Sequence, residues 1–538
     1  FEARPEMYIA ATRLVAVDSD GSEQKVLLER RLEDRFTQFQ DQIVDWLPDD
    51  PDNVLVVLPS TNPSQPGSTI AKLNINTSDL VPEEHARDYA FGWMSDGHGA
   101  PRLYLRIDTT TRRFMVRDKP AGDWSVLREQ KVSDANNSFQ PIGFGENRNE
   151  LLYYDVHEGR KALFGLDLEH DRATRLIYSH PTYDVAGVQA IGKYRRLVAA
   201  FYADDRIHPH FFDSRIEKIV AALARQFPGK GVAVIDEDWD QRYYLVHVTS
   251  DTDAGSFYRF DTDVLRLERI TDAYPSLTGH ELAPMRAITY PAADGTQIPA
   301  YLTLPKSPAA GPLPAIVLPH GGPSARDYWT YDFLVQYLAA SGYAVLQSNY
   351  RGSDGYGNAW RGEGGFRDWR RAIGDIAAGT QYLVKEGIAD PKRICAVGWS
   401  YGGYAALMSV IEDPKTYRCV VSIAGVTDPA ALAARAESFV GGAAAGEFIG
   451  ANDPDVRVKG SPIQRAKEIA VPVLLVHARH DLNVPFSQSE TFATALGRAH
   501  KDVAFVTYDF AEHNIAPERY RIDLLTRLGA FLEEQTSR

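Results

Sequence analysis

RICAVGWSYGGYAALMSVI, residues 393–411, reads in order as a buried strand, a glycine-bounded turn and an apolar helix. Its first part is an apolar run of strand length, and YAALMSVI is a run of mostly strong helix formers. Between them Gly398-Trp399-Ser400-Tyr401-Gly402 fits the pattern G-x-S-x-G. A serine on so sharp a turn stands clear of the sheet with its Oγ exposed, and the small glycines let strand and helix pass closely. Ser400 is therefore the candidate nucleophile. Glycine and serine are common, so the weight rests on the strand-turn-helix context rather than on the five residues.

Outward from this stretch, strand-like and helix-like runs alternate. PAIVLP (314–319), a helix over FLVQYLAAS, YAVLQSN (343–349) and a helix over IAAGTQYLVKEG precede it. RCVVSIAG, PVLLVH (472–477), VAFVTY (503–508) and a last helix over LLTRLGAFLEEQ follow it. Strand and helix in alternation predict a mostly parallel sheet covered on both faces, an α/β-hydrolase domain over 283–538. The Ala- and Gly-rich stretch from about 428 to 470 is expected over the active-site end of that sheet.

A serine hydroxyl needs a base to take its proton and a carboxylate to fix the tautomer of that base. In the hydrolase chain order the acid follows the serine and the histidine comes last. Asp481 sits in the loop after PVLLVH and His513 in the loop after VAFVTY, both just past strand C-termini, where open α/β sheets hold their ligands. Asp502 precedes its strand and Asp509 is too near His513 in sequence, so both are weaker acids for the role. His477 and His480 flank the acid and read as helpers or solvated neighbours. The oxyanion needs donors, and the N–H of Tyr401, directly after the nucleophile, supplies one. The loop after the first strong strand, His320-Gly321-Gly322-Pro323, is of the type that turns a backbone amide toward the site, with an ordinary Gly-Pro turn as the alternative.

Residues 1–282 have another texture: short alternating runs broken by Asp, Gly, Asn and Pro. A unit of aromatic or apolar residue, polar turn and strand recurs around Trp46, Trp93, Phe144, Tyr194 and Trp239, at steps of about 47, 51, 50 and 45 residues. That spacing suits four-stranded propeller blades. One more period places a blade near residue 1, for an expected six to seven blades, the last of them completed by chain upstream of Phe1. A β-sandwich is the competing architecture and requires no such regularity.

Composition narrows the partners. A net charge of −14 opposes a nucleic-acid or anionic-membrane surface, and the sequence has no apolar run long enough for a membrane helix. The expected location is cytoplasmic, with the periplasm as the alternative, and the oligomeric state is open. Cys395 and Cys419 are the two cysteines; they lie in strand-like runs and are expected as core residues without a metal role. His208 and His210 have no third ligand near in sequence, and no phosphate-binding glycine motif occurs, so neither metal nor cofactor is expected.

HGGP (320–323), NYRGSDGYG (349–357), GWSYGGYAA around Ser400, the DLNVP loop and the late histidine, behind a propeller, resemble the prolyl oligopeptidase family of serine peptidases, most of all its acylaminoacyl branch. The resemblance implies Ser400, Asp481 and His513 as triad and the amides of Gly322 and Tyr401 as oxyanion hole. It further implies Asn483 as a holder of a substrate carbonyl, and Tyr401, Val426 and Val484 as lining of the specificity pocket. The sequence departs from the pattern at HARHD before the acid, AEHN at the histidine and TDPAALAA after Val426. Glu83-Glu84 is the one Glu-Glu pair before the hydrolase domain and reads as a solvated helix start rather than an amine-binding pair. The expected activity is hydrolysis of small peptides through an acyl-enzyme, with the propeller restricting access. An isopeptidase opening a lasso-type peptide, an esterase and a non-catalytic propeller module are the competing readings.

Overall fold

The computed structural model describes residues 12–28, 40–60, 67–108, 111–131, 138–437 and 442–537, without side chains at 442–444. The N-terminal part is a series of antiparallel sheets, each made of strands consecutive in sequence. Four-stranded sheets start at Ile43–Asp45, Ala90–Ser95, Gln140–Phe144 and Gly231–Glu237, and a three-stranded one at Val185–Ile191. Up-and-down sheets repeating every 45 to 50 residues are propeller blades. The sandwich alternative falls, because every sheet closes on its own sequence neighbours. A two-stranded pair, Val15–Ala16 with Lys25–Val26, makes a sixth unit among the described residues. The start of a blade near residue 1 lies outside them.

Two features of this half differ from expectation. The helix Ser214–Ala224, capped by the Asp213 carboxylate on the N–H groups of Arg215 and Ile216, stands before the last of these sheets. Glu83-Glu84 is no helix start: both lie in the strand Leu80–Asp88. Glu84 is buried and ion-paired with Arg117 and Arg87, so its charge is already neutralised within its own unit.

The last antiparallel sheet ends at Asp272, and an eight-stranded sheet begins at Met285. Its strands are β1 Met285–Pro291, β2 Gln297–Thr303, β3 Leu313–Val317, β4 Ala344–Ser348, β5 Ala389–Trp399, β6 Cys419–Ile423, β7 Val473–Ala478 and β8 Val503–Tyr508. The spatial order is β1-β2-β4-β3-β5-β6-β7-β8, antiparallel at β1-β2-β4 and parallel from there on. Both faces are covered. Ala396 of β5 packs in the cluster with Ile376, Tyr404 and Leu407, while its neighbour Val397 packs with Leu334, Leu524 and Leu528. These apolar partners come from the helices Trp369–Lys385 and Tyr401–Glu412 on one face, Phe333–Ala340 and Glu518–Thr536 on the other. That two-sided burial is why the strands read as unbroken apolar runs.

Compactness divides the chain into residues 1–179 with 188–200, and 180–187 with 201–538. Cys395 and Cys419 are fully buried, as expected of core positions, but they are also joined. Parallel pairing of β5 and β6 sets them opposite one another, with Cα atoms 4.8 Å apart, and a disulfide links them. Among the described residues no helix is long and apolar enough to cross a membrane.

Candidate active site

The turn after β5 is built by crowding. Ser400 has φ 61° and ψ −123°, and its N–H donates to the carbonyl of Ile423 at 2.8 Å. Positive φ at a non-glycine residue is costly, so neighbouring packing must hold it. A Cβ at Gly398 would stand 2.0 Å from the Gly402 carbonyl oxygen, and one at Gly402 would stand 2.1 Å from that of Pro319. Glycine is required at both places. The helix Tyr401–Glu412 starts directly after Ser400, so its unpaired N–H groups and dipole favour negative charge there.

The 320–323 loop is pressed against this turn. A Cβ at Gly321 would lie 3.2 Å from the Trp399 oxygen and 3.5 Å from Ser400 Cβ. Gly322 has φ 122°, with the N–H groups of Ser324 and Ala325 where a side chain would start. NYRGS is the brace of this loop. Tyr350 stacks on His320 with ring centroids 4.3 Å apart and donates its O–H to the His320 carbonyl at 2.9 Å. Ser353 Oγ meets His320 Nε2 at 2.7 Å, and His320 Nδ1 lies 2.7 Å from the Gly321 carbonyl. Asn349 clamps the backbone of Asp327, accepting its N–H at 2.8 Å and donating to its carbonyl at 3.1 Å. Arg351 holds the buried Asp375 through two nitrogens. Full burial, with the Arg326 charge adding to it, pushes the His320 imidazole down to about 4, so it sits neutral under the loop.

The acid and base loops are zipped together. Arg479 and His480 donate their N–H groups to the carbonyls of Tyr508 and Ala511. Asp481 Oδ2 accepts from His513 Nδ1 at 2.7 Å, and Oδ1 accepts the N–H groups of Asn483 and Val484 at 2.9 and 2.8 Å. Burial alone would raise the Asp481 pKa; hydrogen bonds from His477 and His513, the His513 charge and the Val484 N–H outweigh it and hold the carboxyl at about 2. The histidine loop is tied to the nucleophile turn, for Trp399 Nε1 donates to the His513 carbonyl at 3.0 Å. An imidazole fixed by a buried carboxylate, on a loop tethered to the residue before a strained serine, together with two amide-bearing turns, is a set of groups that can move a proton and stabilise an oxyanion.

The candidate residues do not share one environment. Tyr401, Val426 and Val484 are buried at 2 to 4% exposure in one apolar cluster, whereas Asn483 is exposed beside the acid. Leu482 and Phe510, on the acid and histidine loops, present apolar side chains to solvent, which gives HARHD and AEHN an apolar rim. The sequence reading missed the Trp399 tether and the depth of His477, which is fully buried rather than solvated. It also dismissed His208 as a ligand. The structure sets Asp204 and Asp205 within 4.8 Å of it, and His208 Nε2 is already 2.8 Å from Asp204.

Residues 329–538 match the Prolyl oligopeptidase family. A dipeptidyl aminopeptidase BIII from Pseudoxanthomonas mexicana is 27% identical over 443 residues, 77% of this chain and 63% of that protein. A human acylamino-acid-releasing enzyme is 27% identical over 234 residues, 41% of this chain and 31% of the enzyme. The chain thus spans less than two thirds of the length of these curated relatives. In fold, the chain is similar to a Pyrococcus horikoshii acylaminoacyl peptidase, with TM-score 0.72 and 18% identity over 97% of this chain and 85% of that one. It is likewise similar to a Mycobacterium tuberculosis puromycin-hydrolyzing peptidase, with TM-score 0.70 and 21% identity over 93% and 79% of the two chains.

Proposed function

We propose that the chain is a serine peptidase that hydrolyses amide bonds of small peptides, with residues 283–538 as its catalytic domain and 1–282 as its propeller. The observation that carries this reading is the 2.7 Å contact from His513 Nδ1 to the buried Asp481, on a loop tethered to the residue before Ser400. Ser400 Oγ attacks the substrate carbonyl carbon while His513 Nε2 takes its proton. The oxyanion rests on the N–H groups of Tyr401 and Gly322, and collapse breaks the C–N bond as His513 returns the proton to the leaving amine. Water, deprotonated by the same imidazole, then attacks the acyl-enzyme, releases the acid and restores Ser400. Asp481 stays ionised throughout.

The curated relatives named above are a dipeptidyl aminopeptidase and an acylamino-acid-releasing enzyme, which favours a substrate taken by its amino-terminal end. Tyr401, Val426 and Val484 form the apolar wall for the side chain at the cleaved bond. Asn483 has its backbone N–H fixed on Asp481 and its side chain in solvent, so its amide is available to a substrate carbonyl.

A panel of dipeptidyl and N-acylaminoacyl anilides beside a simple acetate ester tests the proposal. Cleavage of the amides is expected, and Asn483→Ala should weaken it by about 1 to 3 kcal/mol while leaving the ester nearly untouched. Turnover of the ester alone would remove the peptidase reading, and equal losses on both substrates would remove the carbonyl contact of Asn483.

A further inference from the structure

The carboxylate of Asp481 serves two imidazoles. His477 Nε2 lies 3.3 Å from the same Oδ2 that accepts from His513 Nδ1 at 2.7 Å. His477, Asp481 and Ser489 have no exposed side-chain surface. A carboxylate offers about four lone-pair directions, and here two go to the N–H groups of Asn483 and Val484 and two face imidazole nitrogens. None is left for water. His477 is pinned in turn: Nε2 also lies 2.9 Å from the Val484 carbonyl, and Nδ1 is 2.7 Å from Ser489 Oγ, on the helix Ser487–Arg498. With a carbonyl and a carboxylate as its neighbours, Nε2 must carry hydrogen, and the Ser489 hydroxyl then donates to Nδ1. The result is a closed circuit, since Val484 gives its N–H to the acid and takes a hydrogen bond from the imidazole that flanks that acid.

Resting on the peptidase reading above, we propose that His477 is a positioning residue: its Nε2–H, shared between the Val484 carbonyl at 2.9 Å and Asp481 Oδ2 at 3.3 Å, holds the acid loop and the plane of the Asp481 carboxylate together, so that Oδ2 meets His513 Nδ1 in line, and draws on the charge available to that base. The ionisable groups facing this carboxylate are the two histidines. Arg479, on the same loop, pairs with Asp509 at 2.8 Å, and the side chains against His477 from the following segment are the uncharged Phe486 and Ser489. Removing the Nε2–H therefore has two consequences of distinct signature. The carboxylate gains freedom to turn, which slows the chemical step. The charge no longer shared with His477 goes to His513, whose protonated form is then held more tightly, so the acidic limb of activity moves to higher pH.

Three variants of the full chain test this: His477→Phe, of similar bulk without a donor; His477→Gln, whose Nε2–H can stand in; and Ser489→Ala, which frees Nδ1. kcat and KM on an amide substrate are followed across the acid limb, with circular dichroism to show that each variant is folded. His477→Phe should lower kcat about tenfold with KM changed less than about threefold, and raise the limb by about half a pH unit. His477→Gln should recover most of both effects, and Ser489→Ala should shift the limb the same way by less. A folded His477→Phe and a folded Ser489→Ala that both keep the wild-type limb and kcat would overturn the positioning role alone. Wild-type protein inert both to amides and to a fluorophosphonate would overturn the reading of the whole site, and this role with it.

Discussion

The blades and the eight-stranded sheet solve the same problem, satisfying strand edges and burying side chains, with opposite chain logic. In a blade such as Gln140–Phe144, Glu150–His157, Arg160–Asp167 and Thr174–Tyr178, each strand pairs with its immediate successor. Every strand pairing of that sheet is local. In the eight-stranded sheet β3 pairs with both β4 and β5, and β5 with β6, across helical connections. The proposed site draws on the ends of those crossovers, at Gly321, Ser400, Asp481 and His513, which are far apart in sequence. Local sheets tolerate change piecewise; a site built from crossovers fails when any one turn moves.

The sharpest way to break that contrast is a methyl group. Gly402→Ala would drive a Cβ to 2.1 Å from the Pro319 carbonyl oxygen, backbone against backbone. It should cost about 3 kcal/mol of stability and depress amide hydrolysis at least about a hundredfold, because the turns carrying both oxyanion amides are displaced. Denaturant midpoints and turnover read both effects. Retention of wild-type turnover would mean that the two turns are not mechanically linked.

A second effect is confined to acid. His320 is held at about 4 by burial, against about 6.5 in the unfolded chain, so between these values the unfolded chain binds more protons. Stability contributed at this position is complete above about pH 6.5 and is lost as the pH falls toward about 4. Comparing urea midpoints at about pH 7.5 and pH 4.5, wild type should lose about 2 to 3 kcal/mol more than His320→Gln, which cannot take up the proton. Parallel slopes would show that His320 is not buried as a neutral group. The smallest effect belongs to the blades. Gly187→Ala, in Val185–Ile191 with nothing within 4 Å of the added carbon, should change stability by no more than about 0.5 kcal/mol.

The same contrast governs what could be read from the sequence. A blade is a local unit, so it leaves a period, and the steps between Trp46, Trp93, Phe144, Tyr194 and Trp239 were enough to anticipate serial sheets. The proposed triad of Ser400, Asp481 and His513 could be picked out because each residue lies just past an apolar strand run, a position the sequence marks by itself. What depends on juxtaposition left no mark. The Cys395–Cys419 link follows from β5 lying beside β6, and 24 residues of separation do not announce it. The Trp399 tether and the second imidazole on Asp481 depend on how loops cross at the sheet's end. Glu84 looked solvated because its partner Arg117 comes just after a strand of a different sheet.

The most direct test of the account is where a fluorophosphonate attaches. After reaction with the intact protein, peptide mapping by mass spectrometry should find one phosphonylated residue, Ser400, with amide hydrolysis lost in proportion to labelling. Ser400→Ala should remain folded, take no label and retain only the residual rate that binding and the oxyanion amides provide, about 10³-fold above water. Labelling at another serine, or undiminished hydrolysis by Ser400→Ala, would contradict it.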